Sequence, residues 1–305
     1  MDALPIRAEA RPLGRSALRA FPLAYGCWRF AGNSLREARA KIEAALEVGI
    51  NLFDHADIYG GDGAAELLFG KVIAEAPHLR DGILVATKGG IVRGVPYDSS
   101  AAHLREALEA SLRRLRVEAI DLYQIHRPDL LAHPEEIAGA LTRLREAGKL
   151  REVGVSNYTP SQFEALQCFL PFPIATHQPE LSCWAVGPLR DGVLDQCLRL
   201  GVTPLAWSPM AGGLLGLEIA EARDREDGER LAALLEVLDA LAARERVGRA
   251  AIALGFLLTH PAGVIPILGT QRIPRIRASA DALQVHLSRA DWYAILAASQ
   301  GVPHP

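Results

Sequence analysis

The 305-residue sequence predicts a (β/α)8 barrel, an α/β fold forming a single domain over residues 1–305. Three observations lead there. Eight short, largely apolar runs alternate with amphipathic stretches, six successive runs end in polar side chains, and no composition shift marks a second domain. Parallel strands joined by helices are covered on both faces, so they read as apolar runs rather than as strict alternations. Eight such units close naturally into a barrel, and barrels commonly pass ~250 residues as one domain.

After a lead-in with hairpin character, strands are expected at residues 22–27, 51–55, 83–88, 120–126, 152–156, 174–178, 202–208 and 264–269. Residues 103–115 place Leu104, Leu108, Leu112 and Leu115 on one helical face, with Ser99 or Ser100 as the cap. Thr159-Pro160 ahead of residues 161–169 reads as an N-cap followed by proline at the first helical position. Residues 210–227, with Gly212, Gly213 and Gly216, form the one long irregular stretch, expected after the seventh strand on the catalytic face. A tail helix over 288–299 can pack across the barrel. An open doubly wound sheet is the rival architecture, but no G-x-G-x-x-G follows the first strand.

Half the residues are hydrophobic and the formal net charge is −3. That composition supports a substantial core, and no Lys/Arg stripe offers to neutralise the phosphates of a nucleic acid. Cys27, Cys168, Cys183 and Cys197 include no C-x-x-C pair and read as reduced, buried thiols. Asp2, Arg7, Glu9 and Arg11 interrupt any signal-peptide core, and no apolar run reaches the ~20 residues of a spanning helix. The expected protein is cytoplasmic, with neither a nucleic acid nor a membrane as partner.

The chemistry sits at strand ends. The second strand runs into Asp54-His55-Ala56-Asp57-Ile58-Tyr59, the third ends at Lys88 and the fourth at His126. The fifth ends at Ser156-Asn157, the sixth at Gln178 and the seventh at Trp207-Ser208. In an α/β barrel these carboxyl ends form the active-site face. Singly each residue has an ordinary explanation: an Asp forms a turn, a Lys or Tyr is solvated, a His is structural, a Trp is core. Their convergence carries the functional reading.

Phe53-Asp54-His55-Ala56-Asp57-Ile58-Tyr59-Gly60 resembles the aldo-keto reductase motif, an Asp followed five residues later by Tyr-Gly. Lys88, His126, Gly154-Val155-Ser156-Asn157, Gln178-Pro179-Glu180 and Ala206-Trp207-Ser208-Pro209 follow in that family's order, from about Gly26 to Arg275. The likeness is closest to a bacterial oxidoreductase branch carrying His-Ala-Asp-Ile-Tyr-Gly-Gly and Ile-His-Arg-Pro-Asp. It implies reduction of a small-molecule aldehyde or ketone by hydride transfer from NADPH, with NADH the less suited cofactor and no metal. Tyr59 is then the proton donor. Its ordinary pKa of ~10 is expected to be pulled toward working pH by Lys88, which Asp54 keeps charged. His126 is expected to donate to the developing alkoxide.

The same resemblance implies the cofactor contacts. Gly26, Cys27 and Trp28 lie at the first strand's end; Ser156, Asn157 and Gln178 suit a carboxamide; and Trp207 stacks on the nicotinamide. Ser208, Pro209, Met210, Gly212 and Gly213 run along the pyrophosphate. Gly269, Thr270, Arg272, Arg275 and Ser279 mark the adenosine-phosphate end, although many relatives have Lys at the position of Gly269 and Asn at that of Ser279. The two arginines suit a 2′-phosphate because guanidinium groups bind phosphate oxygens bidentately. Tyr25, Trp28 and Tyr97 are expected to line the substrate pocket.

Two other classes compete. A metal-dependent barrel hydrolase or isomerase could use Asp54, Asp57 and His126, but no H-x-H pair ends the first strand, and Lys88 would face the metal. A cofactor-binding regulatory barrel with little turnover is the other, against which the intact Asp54–Tyr59–Lys88–His126 set argues.

Overall fold

A computed structural model describes residues 3–302. Strands β1 (Arg11–Pro12) and β2 (Arg19–Ala20) form an antiparallel hairpin, Arg11 opposite Ala20. The chain then alternates β3 (Ala24–Gly26), α1 (Leu35–Glu47), β4 (Leu52–Asp54), α2 (Ala64–Glu75), β5 (Leu84–Gly89), α3 (Ala101–Leu115), β6 (Ile120–Ile125) and α4 (Pro134–Glu146). It continues through β7 (Leu150–Ser156), α5 (Pro160–Phe169), β8 (Thr176–Gln178), α6 (Val193–Leu200) and β9 (Thr203–Ala206). Helices α7 (Ile219–Arg223), α8 (Gly228–Glu245) and α9 (Arg249–Leu258) precede β10 (Ile265–Leu268), and α10 (Ile273–Ala278) and α11 (Arg289–Gln300) complete it. Strands β3 to β10 are all parallel and close on themselves through β10–β3 pairing. All eight expected strands are present, most of them shorter than expected at one or both ends.

Local chemistry sets the helix starts. Ser100 caps α3, Thr159 and Gln162 form a reciprocal capping box ahead of Pro160 in α5, and Ser288 and Asp291 do the same for α11. The stretch expected to be irregular after β9 instead holds a 3-10 segment over Ala211–Gly216 and the short helix α7. The tail helix α11 packs against α8, and Trp292 stacks on Phe256 of α9 with ring centroids 4.6 Å apart. Cys27, Cys183 and Cys197 are buried, but Cys168, expected to be buried, is exposed.

Along each strand, side chains alternate between the barrel interior and the helix layer. Ala24, Leu52, Ala86, Leu122, Leu205, Ile265 and Ile267 fill the interior, joined there by Leu13 and Leu18 of the hairpin. Leu13 is fully buried and Gly14 donates to Thr203 Oγ1 at 2.7 Å, so the hairpin stoppers the amino-terminal end of the barrel. Tyr25, Phe53, Val85, Tyr123 and Ile125 point the other way, into the larger core shared with the helices. Higher up, the interior turns polar. There Gly154 is required: an added Cβ would lie 2.1 Å from Thr176 Oγ1 and 2.9 Å from Gln124 Cγ. No helix among the described residues is long and apolar enough to cross a membrane.

Candidate active site

Inward alternation brings Asp54 of β4, Lys88 of β5, Gln124 of β6 and Gln178 of β8 to the top of the barrel. Lys88 Nζ donates to Asp54 Oδ2 at 2.7 Å, to the His55 carbonyl at 2.8 Å and to the Tyr59 hydroxyl at 3.1 Å. All three ammonium hydrogens are therefore used. Asp54 Oδ1 accepts from Gln178 Nε2 at 2.9 Å and from Gln124 Nε2 at 3.3 Å. Tyr59 reaches this pair from the turn after β4, and its ring meets His126 edge-on at 5.8 Å. The four residues expected to act together are brought together.

The electrostatics differ from the sequence reading in one respect. Burial pushes the Tyr59 hydroxyl above the ordinary tyrosine value; Lys88 opposes this, and Asp54 adds to it. Lys88 thus limits the rise rather than carrying the pKa down toward neutrality, because burial penalises phenolate more than one paired ammonium rewards it. Burial pulls Lys88 down, but Asp54 and Tyr59 outweigh that and leave it above an ordinary lysine. Burial, with Lys88 and Arg127 adding, lowers His126 to about 2. Its imidazole is neutral, with Nδ1 buried and unpartnered.

The residues expected around a cofactor form a second network. Ser156 Oγ donates to the Gln178 carbonyl at 2.9 Å, Asn157 Nδ2 to Ser156 Oγ at 2.7 Å, and Trp207 Nε1 to Asn157 Oδ1 at 2.8 Å. Asn157 therefore orients Trp207, and the side-chain amide of Gln178 is committed to Asp54. Asn157, Ser208 and Ala211 hold positive φ values of 57°, 51° and 49°, strained for side-chain-bearing residues. Pro209 is buried and Met210 half-buried beside them. Gly212, Gly213 and Gly269 face open space, as a cradle for a passing ligand backbone requires.

The pocket role expected of Tyr25 is corrected, and the other expected contact residues are placed beside it. Tyr25 follows inward-facing Ala24, so it points outward; it is fully buried, with its hydroxyl 3.1 Å from the Thr270 carbonyl, and cannot line a pocket. Cys27 is likewise fully buried. Gly26 packs tightly, an added Cβ falling 2.9 Å from Ile267 Cγ2. Ser279 is buried, and its hydroxyl donates to the Ile276 carbonyl at 2.6 Å. Trp28 stands at the rim, 63% exposed under Arg29, and Tyr97 lies in the loop after β5 bridged to Ile91. Thr270 is half-buried, and Arg272 and Arg275 are exposed around the start of α10. The metal-site rival loses Asp54 to Lys88, and no three His, Cys, Asp or Glu converge on a metal position among the described residues.

Some of the site was given no role in the sequence reading. Gln124 and Thr176 each lie two residues before a named strand-end residue, so strand alternation alone places them on the inner face. Behind the site, buried Glu66 of α2 accepts from Thr87 at 2.5 Å and Arg114 at 2.7 Å, tying α2, β5 and α3 together. Such a long-range partnership leaves no local sequence signal.

Burial also creates a pH signature. His55, His126 and His177 are lowered by burial to about 3, 2 and 4, while burial, with Glu66 adding, raises Asp57 to about 7. On unfolding, each histidine takes up a proton below about 6.5, whereas Asp57 releases one above about 3.9. Near pH 5, three taken up against one released leaves about two, so stability rises with pH at about 3 kcal/mol per unit from these groups. Urea unfolding across pH 5–6 measures that slope; a flat profile would mean the rings are not neutral in the fold.

A closed parallel barrel whose mouth holds a tyrosine, a lysine–aspartate pair and a neutral histidine defines a barrel oxidoreductase. The chain belongs to the aldo/keto reductase family, whose sequence model matches residues 22–300. It is 46% identical over 308 residues to the 6-dehydroglucose reductase of Novosphingobium aromaticivorans, covering 99% of both chains. It is 36% identical to oxidoreductase YdhF of Escherichia coli over 92% of this chain and 94% of that one. Among solved structures, the glycerol dehydrogenase AKR11B4 of Gluconobacter oxydans superposes with a TM-score of 0.83 at 29% identity, covering 98% and 97% of the two chains.

Proposed function

We propose that this protein is a cytoplasmic, NADPH-dependent reductase of a small, sugar-derived aldehyde, with Tyr59 as proton donor. The observation that carries the reading is the Lys88 ammonium, held by Asp54 at 2.7 Å and presented to the Tyr59 hydroxyl at 3.1 Å. The 46% identity to a 6-dehydroglucose reductase over the whole length supports an aldehyde of that kind. When bound, the dihydronicotinamide supplies the hydride.

The chain's residues do the rest. Trp207, fixed by Asn157, offers a flat face at the mouth for a planar ring, and the Gln178 side-chain oxygen Oε1, whose amide nitrogen is held by Asp54, is free to accept from an amide. The open backbone at Gly212, Gly213 and Gly269 suits the cofactor's phosphate track. Tyr59, protonated at neutral pH, gives its proton to the carbonyl oxygen as negative charge builds there. Lys88 then stabilises the phenolate, and neutral His126 donates to the same oxygen without competing as a base. The test is tryptophan fluorescence during titration with NADPH and with NADH, followed by a carbonyl panel that includes sugar aldehydes. Strong quenching by NADPH and turnover of a sugar aldehyde are expected; no response to either nucleotide overturns the reading.

A further inference from the structure

One buried amide at the top of the barrel has no part in the chemistry above. Gln124 of β6 is fully buried and stands in register between Lys88 of β5 and Gly154 of β7. Its Nε2 donates to Asp54 Oδ1 at 3.3 Å, and its Oε1 accepts from the Thr176 hydroxyl at 3.3 Å. Thr176 lies on β8, opposite Gly154 in register, so the two side chains reach each other across the whole of β7. They meet because β7 places nothing between them; a Cβ at Gly154 would collide with both. Asp54 only accepts, which fixes the amide with its nitrogen toward the carboxylate and its oxygen toward the hydroxyl.

The carboxylate it touches has to face one way. Lys88 holds Asp54 Oδ2 at 2.7 Å and from there reaches the Tyr59 hydroxyl at 3.1 Å. A carboxylate gripped through one oxygen can turn about its broad terminal torsion and carry the ammonium with it. Its other oxygen is anchored by Gln178 at 2.9 Å and by Gln124. Gln178 sits two residues beyond Thr176, one inward layer nearer the mouth. Gln124 is the deeper anchor, and both ends of its amide are engaged within the protein. A neutral donor also suits the task better than a second cation would. It fixes the oxygen and leaves the carboxylate's charge to Lys88, and it does not titrate.

We propose that Gln124 is a positioning residue of the reduction: supported by Thr176 across Gly154, it fixes the rotation of Asp54 and so keeps Lys88 aimed at the Tyr59 hydroxyl. The inference rests on the reading of Tyr59 as proton donor. Lys88 opposes the rise that burial imposes on that hydroxyl, so a lysine turned off target lets the rise go further.

Gln124→Leu, Thr176→Val and their combination test it, with glyceraldehyde or erythrose reduced by NADPH and glycerol or erythritol oxidised by NADP+. Gln124→Leu should move the alkaline limb of the oxidation up by about one pH unit, so that oxidation at neutral pH falls about tenfold, the scale of one lost hydrogen bond to a charged group. Thr176→Val should move the same limb less, in the same direction. Because Thr176 acts through Gln124, the double variant should match Gln124→Leu rather than sum the two. It also removes the hydroxyl that Gln124→Leu leaves unpartnered, so its urea midpoint should recover while its pH profile does not. An unmoved limb in the folded double variant, or shifts that simply add, overturns the role of Gln124 and leaves the reductase reading standing. Wild type that reduces neither aldehyde fails the reductase reading, and this inference falls with it.

Discussion

Tyr59→Phe is expected to lower kcat/KM for carbonyl reduction by ~10²–10⁴-fold, the usual scale for removing a positioned acid. Phenylalanine keeps the ring against His126 and removes only the hydroxyl that faces Lys88. NADPH affinity and the urea midpoint should therefore hold, which separates loss of chemistry from loss of fold. The raised pKa of Tyr59 adds a direction. Its proton is in place throughout neutral pH, so reduction should be nearly flat there. The reverse oxidation needs phenolate and should climb as the solution becomes alkaline. A variant reducing at the wild-type rate would show that another group delivers the proton.

Lys88→Met should be the most damaging single change to the fold as well as to the activity. Lys88 and Asp54 are both essentially excluded from solvent. Removing one partner of a buried pair leaves an uncompensated charge and costs about 3–5 kcal/mol. Gln124 and Gln178 still donate to Asp54, but neutral amides do not replace an ammonium. Adding Asp54→Asn to Lys88→Met removes the orphaned charge and should restore much of the stability while leaving the enzyme inactive. Urea unfolding and steady-state rates on the single and double variants decide this. A single variant as stable as wild type would mean that Asp54 shares its charge elsewhere.

The barrel was legible in the sequence because burial on both faces writes itself as apolar runs, and the four proposed catalytic residues because Asp54, Lys88 and His126 lie at or beside strand ends and Tyr59 in the turn just after one. What stayed hidden was facing and partnership. Tyr25 looked like pocket wall until its place after inward-facing Ala24 turned it outward, a distinction that strand alternation could have supplied. Glu66 went unread, since nothing local announces that Thr87 and Arg114 will meet it. The sign at Tyr59 was misjudged for a related reason. Composition reveals a neighbouring charge, while the competing loss of solvent depends on the assembled mouth.

The hairpin packed under the barrel has a kinetic consequence. With Leu13 and Leu18 closing the amino-terminal end and alanine, leucine and isoleucine side chains filling the shaft above them, passage from below is blocked among the described residues, and the site faces the loops that carry Trp28 and Trp207. On the proposed function, the cofactor and substrate that meet at Tyr59 would both arrive from the loop side, the one seated deeper entering first and leaving last. The pace of the whole cycle can then be set by how quickly the last occupant leaves past those loops, however fast the proton and hydride move within.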